Sequence, residues 1–191
     1  MGSKCFNIKT HKKLVFRCLL IILNRIVDNG DTVIVIEHNL DVKVEDIKSW
    51  EMKQSFPTLT DYQIFKPLNT PEFWDYVKPK LNSVYWLYKL IEDGHKVYIC
   101  TNSHYKIVEA KFDRVLFKHF PYLTWKDVII MKDKHMIKCD YLIDDGVHNI
   151  VGDYKGLLID MPHNKGFNHE NVIRVYDFEA VYNIINQDAM N

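Results

Sequence analysis

The chain has 191 residues, enough for one well-buried domain with a small appended subdomain, and two full domains are not expected. Lysine plus arginine and aspartate plus glutamate are balanced at 25 each. The sequence therefore lacks the excess positive charge that binding to nucleic acid or to an anionic membrane requires. A small-molecule partner is favoured.

Two features of the sequence predict a cytoplasmic protein. The four cysteines are scattered and form no C-x-x-C pair, which is typical of reduced thiols. The basic and apolar stretch at residues 9–30 has no small-residue cleavage site, and Arg17 interrupts its apolar run. That run is also too short to span a bilayer. We therefore expect neither a signal peptide nor a membrane anchor.

The first 82 residues predict one strand and a small cap. By pattern alone, "DTVIVIEHNLD" at residues 31–41 forms a strand. From about residue 41 to 82 the chain is rich in aromatic residues, and prolines punctuate short helices. We interpret residues 41–82 as a small helical cap inserted after the first strand and helix. Residues 1–40 and 83–191 then form the core, and the cap would shield a site from water.

The second half of the sequence alternates β-rich runs with helical patterns. Helices are predicted at residues 83–94, 105–120 and from Phe178 onward, the first ending at Gly94. Strands are predicted at residues 95–101, 127–131, 140–144, 156–161 and 172–177. This order predicts an α/β fold, a three-layer Rossmann-like parallel sheet flanked by helices. Such a sheet places its ligand site at the carboxyl ends of its strands.

Polar residues with complementary chemistry follow three of the predicted strands. They are Thr101, Asn102 and Ser103 at the end of the strand at residues 95–101, Lys132 and Lys134 after the strand at residues 127–131, and Asp144 and Asp145 at the end of the strand at residues 140–144. Hydroxyl and ammonium groups can hold phosphoryl oxygens, and paired carboxylates can hold Mg²⁺, which prefers oxygen ligands. Each group alone is typical of a strand end, a solvated lysine or a turn. Together they predict a site for a phosphate and a divalent cation.

Several stretches resemble the haloacid dehalogenase superfamily, and within it the 5'(3')-deoxyribonucleotidase family. They are "VYICTNS", "KDKHMIKCDYLIDDGVHNI", "IDMPHNKGFN", and the cap-like "EDIKSWEM" with "NTPEFWDYVKPKLNSVYWLYKL". Together they span roughly residues 40–178. The resemblance implies a Mg²⁺-dependent phosphomonoester hydrolase that removes phosphate from a deoxynucleoside monophosphate.

The resemblance also implies roles for individual residues. Thr101 and Lys134 would bind and stabilise the transferring phosphate, with Asn102, Ser103 and Lys132 beside them. Asp145 would be the Mg²⁺ ligand, and Asp144 would support it. Phe73 and Trp74 of the cap are the candidates for contact with the base, with Trp50 a weaker one. Burial of these rings in the core of the cap explains the same pattern.

The first motif of this family, Asp-x-Asp at the end of the first strand, is missing near the start of the sequence. In the family its first Asp attacks phosphorus and its second acts as general acid and base. Two pairs of residues compete for this position. Pattern alone favours Glu37 and Asn39, at the end of "DTVIVIEHNLD". Counting back from "EDIKSW" favours Cys18 and Leu20, and we prefer this pair because "KKLVF" resembles the family's first strand.

The genetic code offers an explanation for the missing motif. The codons ATT GAT AAT ACT spell Ile-Asp-Asn-Thr, as in the family, and in a shifted frame preceded by TT they spell Leu-Leu-Ile-Ile-Leu. Residues 19–23 have that sequence, so we hypothesise two compensating base slips, either in the gene or in its sequencing. An ordinary buried strand without catalytic residues is the competing explanation. The functional alternatives are a non-catalytic nucleotide-binding protein and a phosphatase for another small phosphate ester.

Overall fold

The structure is a computed structural model that describes residues 11–16, 49, 51–133 and 136–190. Its centre is a six-stranded sheet with the order β3-β2-β1-β4-β5-β6, in which every neighbouring pair is parallel. The strands are β1 Lys13–Phe16, β2 Lys96–Thr101, β3 Val128–Ile130, β4 Tyr141–Asp144, β5 Lys155–Ile159 and β6 Val172–Val175. The predicted parallel α/β fold is confirmed.

Most α-helices in the described residues are short, and the two longest lie directly before β2 and after β6. The α-helices are α1 Met52–Ser55, α2 Asp61–Phe65, α3 Ser83–Glu92, α4 Val108–Lys111, α5 Phe117–His119 and α6 Phe178–Met190. A π-helical turn, Phe112–Leu116, joins α4 to α5 and interrupts the helix predicted at residues 105–120. None of the helices in the described ranges is long and apolar enough to cross a membrane.

Both faces of the sheet are covered by apolar side chains. In β4, Tyr141 and Ile143 belong to the larger apolar cluster, which also contains residues of α3 and α6. Leu142, between them in sequence, packs in a smaller cluster with Ile150 and Leu158. Successive side chains of a strand point to opposite faces, so a sheet covered on both sides needs continuous apolar runs such as "YLI".

β1 occupies a central position in the sheet. Its last residue, Phe16, pairs with Ile99 of β2 and with Ile143 of β4. The prediction that "KKLVF" forms a strand is therefore confirmed. The competing strand at residues 31–41 lies outside the described residues, as do both candidate pairs for the missing motif, Cys18 with Leu20 and Glu37 with Asn39.

Gly94 ends α3 and directs the chain into β2, which carries Thr101. Its φ is +90°, a left-handed conformation that favours glycine. The Gly94 N–H donates to the Ile91 carbonyl at 2.9 Å and the His95 N–H to the Leu90 carbonyl at 3.0 Å, which is the Schellman pattern. The sequence prediction of a helix end at Gly94 is confirmed.

A charged cluster attaches α6 to the amino-terminal edge of the sheet, where the strands begin. Asp188 accepts hydrogen bonds from the Tyr141 hydroxyl at 2.7 Å and from the Lys155 ammonium at 2.9 Å, and the Lys12 ammonium lies 3.5 Å away. The hydrogen bond from Tyr141, followed by that from Lys155, lowers the pKa of Asp188 from 3.8 to about 2. A carboxylate with a lowered pKa in the folded state stabilises the fold above its ordinary pKa.

We expect Asp188→Asn to lower the free energy of unfolding by about 1–2 kcal/mol at pH 7. The stabilisation by Asp188 is complete above pH 3.8 and is mostly lost when the pH has fallen to about 2. Urea unfolding of the unmodified chain and of Asp188→Asn should therefore show that the difference between their free energies of unfolding shrinks as the pH falls over this range. Asp153→Asn, a change of an exposed carboxylate near this edge, is the control. A difference that is constant with pH would contradict the assignment.

Candidate active site

Two predicted site residues lie at the same level of the sheet, at its carboxyl edge. Thr101 is two residues beyond Ile99, and Asp145 is two residues beyond Ile143. Both isoleucines pair with Phe16 of β1. Because β1 separates β2 from β4, two strand spacings, or about 10 Å, lie between the two backbones. Thr101 and Asp145 therefore flank the carboxyl end of β1.

A buried lysine joins two hydroxyl groups at the end of β2. The Lys111 ammonium donates to the Thr101 and Ser103 hydroxyls, each at 2.8 Å, and the two hydroxyl oxygens are 3.2 Å apart. Thr101 is 2% exposed and Lys111 is 5% exposed. One hydroxyl can donate to the other, which leaves the second O–H able to donate outward. This cluster of donors suits an anionic ligand such as a phosphate.

Sequence analysis missed Lys111. Lys111 is not among the predicted site residues, because a single lysine in a helical pattern is typical of a solvated face. The signal that could have identified it is its spacing, because Ile107 lies four residues before it and Val115 four residues after it. Both are buried, so Lys111 belongs to the buried face of its helix. The π-helical turn begins directly after Lys111, and such turns are frequent at functional sites.

The Asp-Asp-Gly turn after β4 holds two buried carboxylates in defined positions. Asp144 Oδ1 accepts the backbone N–H groups of Asp145 at 2.8 Å and of Gly146 at 3.1 Å. The Asp145 carbonyl accepts a hydrogen bond from the Asn164 amide at 2.9 Å and lies 3.0 Å from His163 Nε2. A carbonyl only accepts, so this contact requires a proton on Nε2.

Asp145 fits the role of a metal ligand. Its Oδ1 is buried and has no hydrogen-bond partner within the part of the chain that the structure describes. Burying such an oxygen is costly, and a hard cation such as Mg²⁺ would offset the cost. The residues described contain no group of three His, Cys, Asp or Glu side chains able to hold a metal. Mg²⁺ commonly uses one or two carboxylates, with water and substrate phosphate as its other ligands.

The other predicted site residues fall into two groups. Asn102 and Lys132 are exposed, and Lys132 lies two residues beyond Ile130, which pairs with Thr101. The structure therefore brings Thr101, Ser103, Asp144 and Asp145 to one edge of the sheet, with Asn102 and Lys132 beside them. Lys134 and Trp50 lie outside the described residues.

Phe73 and Trp74, the two residues predicted to contact a base, are buried, at 5% and 3% exposure. They contact each other edge to face, with ring centres 5.2 Å apart, and both belong to the main apolar cluster. The Lys111 ammonium lies 5.2 Å from the centre of the Trp74 ring. This burial matches the core-packing interpretation, and contact with a base stays a prediction.

Comparison with solved structures supports the fold class. A hydrolase from Pseudomonas syringae aligns with 93% of this chain and 99% of its own, with a TM-score of 0.54 and 12% sequence identity. At this identity the likeness shows the fold alone. The six-stranded parallel sheet defines the class of the chain, an α/β protein with a Rossmann-like sheet.

Sequence comparisons identify the family. Residues 22–190 match the family model described as "5' nucleotidase, deoxy (Pyrimidine), cytosolic type C protein". A 5'(3')-deoxyribonucleotidase of Bacillus subtilis (strain 168) is 30% identical over 148 residues, which cover 73% of this chain and 79% of the relative. One from Clostridium acetobutylicum is 28% identical over 134 residues, 64% of this chain and 68% of the relative. The chain belongs to this family of nucleotidases, as its motifs implied.

Proposed function

We propose that the protein is a Mg²⁺-dependent phosphomonoester hydrolase of the 5'(3')-deoxyribonucleotidase type, directed in the cytoplasm at a deoxynucleoside monophosphate, and that the absence of the Asp-x-Asp motif slows or abolishes its catalysis. The observation that carries this proposal is the placement of the donor cluster of Lys111, Thr101 and Ser103 on one side of the end of β1, with Asp145 on the other. The names of the similar nucleotidases support the substrate class.

Each side of the site has its own part in binding the phosphate. The hydroxyls of Thr101 and Ser103 and the Lys111 ammonium would donate to the phosphate oxygens, with Lys134 as a further cation. Asp145, supported by Asp144, would hold Mg²⁺, which when bound neutralises charge that develops on the phosphoryl oxygens. The buried Phe73 and Trp74 would form the cap side of the site, as the resemblance implies.

A count along the strands supports one of the two candidate positions for the missing nucleophile. Cys18 lies two residues beyond Phe16, as Thr101 does beyond Ile99 and Asp145 beyond Ile143. The count supports Cys18 and Leu20 as the positions of the Asp-x-Asp motif. Neither residue is a carboxylate, which favours the second candidate function, a non-catalytic protein that binds a phosphorylated nucleotide with the same residues.

A direct assay separates the two functions. The full chain is incubated with a deoxynucleoside monophosphate and Mg²⁺, and both phosphate release and the melting temperature are measured. Phosphate release that stops on chelation of Mg²⁺ supports the hydrolase. A raised melting temperature without release supports the binding protein. If neither occurs with nucleotides but a sugar phosphate is hydrolysed, the substrate class is wrong.

We expect Lys111→Met to weaken binding of the monophosphate by about 10- to 100-fold, because a hydrogen bond to a charged group contributes about 1.5–3 kcal/mol. Isothermal titration with saturating Mg²⁺ measures the change. Lys118→Met is the matched control, since Lys118 is an exposed lysine seven residues further along the same helical segment. Equal affinities for Lys111→Met and the control would show that Lys111 does not contact the phosphate.

A further inference from the structure

The loop after β5 folds around a single arginine of β6. Arg174 Nη1 donates to the carboxylate of Asp160 at 2.7 Å and to Asn164 Oδ1 at 2.8 Å. Its Nη2 donates to the backbone carbonyls of Asn164 at 2.9 Å and of Phe167 at 2.8 Å. The planar guanidinium thus fixes both the side chain and the backbone of Asn164, which a lysine with one nitrogen could not do in the same way.

Asn164 connects Arg174 to Asp145 of the candidate active site. The residue is 2% exposed, and its Nδ2 donates to the carbonyls of Asp145 at 2.9 Å and of Ile159 at 2.8 Å. Its Oδ1 accepts the Met161 N–H at 3.1 Å in addition to Arg174. Both amide hydrogens and both oxygen lone pairs are therefore used. The amide has one orientation, because a flipped amide would place its oxygen against two carbonyl oxygens.

The backbone at Asp145 is consequently held from two sides. Its N–H donates to the Asp144 carboxylate, and its carbonyl accepts from Asn164 and from His163. We infer that Arg174 and Asn164 are positioning residues that hold Asp145 Oδ1 where a divalent cation binds. The inference rests on the proposed function, which makes Asp145 the metal ligand.

A purely structural role for Arg174 predicts a different result. The ion pair with Asp160 is partly exposed, with side chains 22% and 24% accessible. If Arg174 only stabilised the loop, its loss would lower the free energy of unfolding without changing the metal affinity of the folded protein. If it positions Asp145, the metal affinity itself falls, although Arg174 makes no hydrogen bond to Asp145 among the bonds that the described residues show.

Mn²⁺ binding to the full chain tests the inference, measured by the electron paramagnetic resonance of free Mn²⁺. We expect Asn164→Ala to weaken binding by about 10- to 100-fold and Arg174→Met by about tenfold. Arg174→Lys should fall between Arg174→Met and the unmodified chain. Lys155→Met removes a 2.9 Å ion pair at the opposite edge and should bind Mn²⁺ normally. Circular dichroism establishes that each variant is folded at the temperature of the titration.

A double variant shows whether Arg174 acts through Asn164. If it does, Arg174→Met should weaken Mn²⁺ binding less than about twofold when Asn164 is already alanine. Normal Mn²⁺ affinity in folded Arg174→Lys and Arg174→Met would overturn the inference and leave the proposed function intact. No Mn²⁺ binding by the unmodified chain would overturn the inference together with the metal-dependent part of the proposed function. Arg174→Lys, the conservative change, decides the test if the other variants do not fold.

Discussion

The double variant Cys18→Asp with Leu20→Asp is expected to release phosphate from a deoxynucleoside monophosphate at least about 10³ times faster than the unmodified chain. The count from β1 supports these two positions for the nucleophile and the general acid. A carboxylate at position 18 could attack phosphorus, and one at position 20 could transfer the proton. Colorimetric measurement of inorganic phosphate, with and without Mg²⁺, gives the rates.

The control for this gain of activity is Cys18→Asn with Leu20→Asn, which introduces similar volume and polarity without a nucleophilic carboxylate. It should remain inactive. A folded double-Asp variant that binds Mn²⁺ and releases no phosphate would contradict the assignment to Cys18 and Leu20. The competing positions would then be tested with Glu37→Asp and Asn39→Asp.

The mass of the intact protein and resequencing of its gene test the explanation for residues 19–23. Two compensating base slips made during sequencing would give a measured mass different from that calculated from the printed sequence. A matching mass from an unbroken reading frame leaves genuine divergence as the explanation. In that case the unmodified chain should bind the nucleotide and release no phosphate.

Asp145→Asn is expected to reduce the affinity for Mn²⁺ by about 100-fold or more and to raise the melting temperature of the metal-free protein. The buried Oδ1 lacks a hydrogen-bond partner in the described ranges, so a charge there is costly until a cation binds. Removing the charge should stabilise the metal-free fold by about 1 kcal/mol. Mn²⁺ titration and thermal unfolding in the presence of a chelator measure the two effects.

The opposite signs of these two effects are what distinguish a metal ligand from a structural carboxylate. Loss of a structural carboxylate would lower the melting temperature and leave Mn²⁺ affinity unchanged. Asp153→Asn, at an exposed position, should change neither property. If Asp145→Asn lowers the melting temperature of the metal-free protein and binds Mn²⁺ normally, Asp145 is not the ligand.

Much of the fold could be predicted from local sequence pattern. The helix expected at residues 83–94 is Ser83–Glu92, and the strand expected at residues 95–101 is Lys96–Thr101. These predictions succeeded because the strands are buried on both faces and need continuous apolar runs, and because Gly94 permits the left-handed helix end. The same reasoning did not detect the π-helical turn at Phe112–Leu116. The spacing of apolar residues does not reveal that a helical turn contains one additional residue.

The sequence by itself determined the parallel α/β fold and the positions of Thr101 and Asp145 at the ends of strands. Each of these depends on short-range pattern, apolar runs followed directly by polar groups. Only the tertiary structure decided that Lys111 reaches Thr101 and that Asn164, set by Arg174, holds the backbone of Asp145. The physical reason is that these hydrogen bonds join different elements of the fold. Their partners are set by how strands and loops pack together, which local composition does not encode.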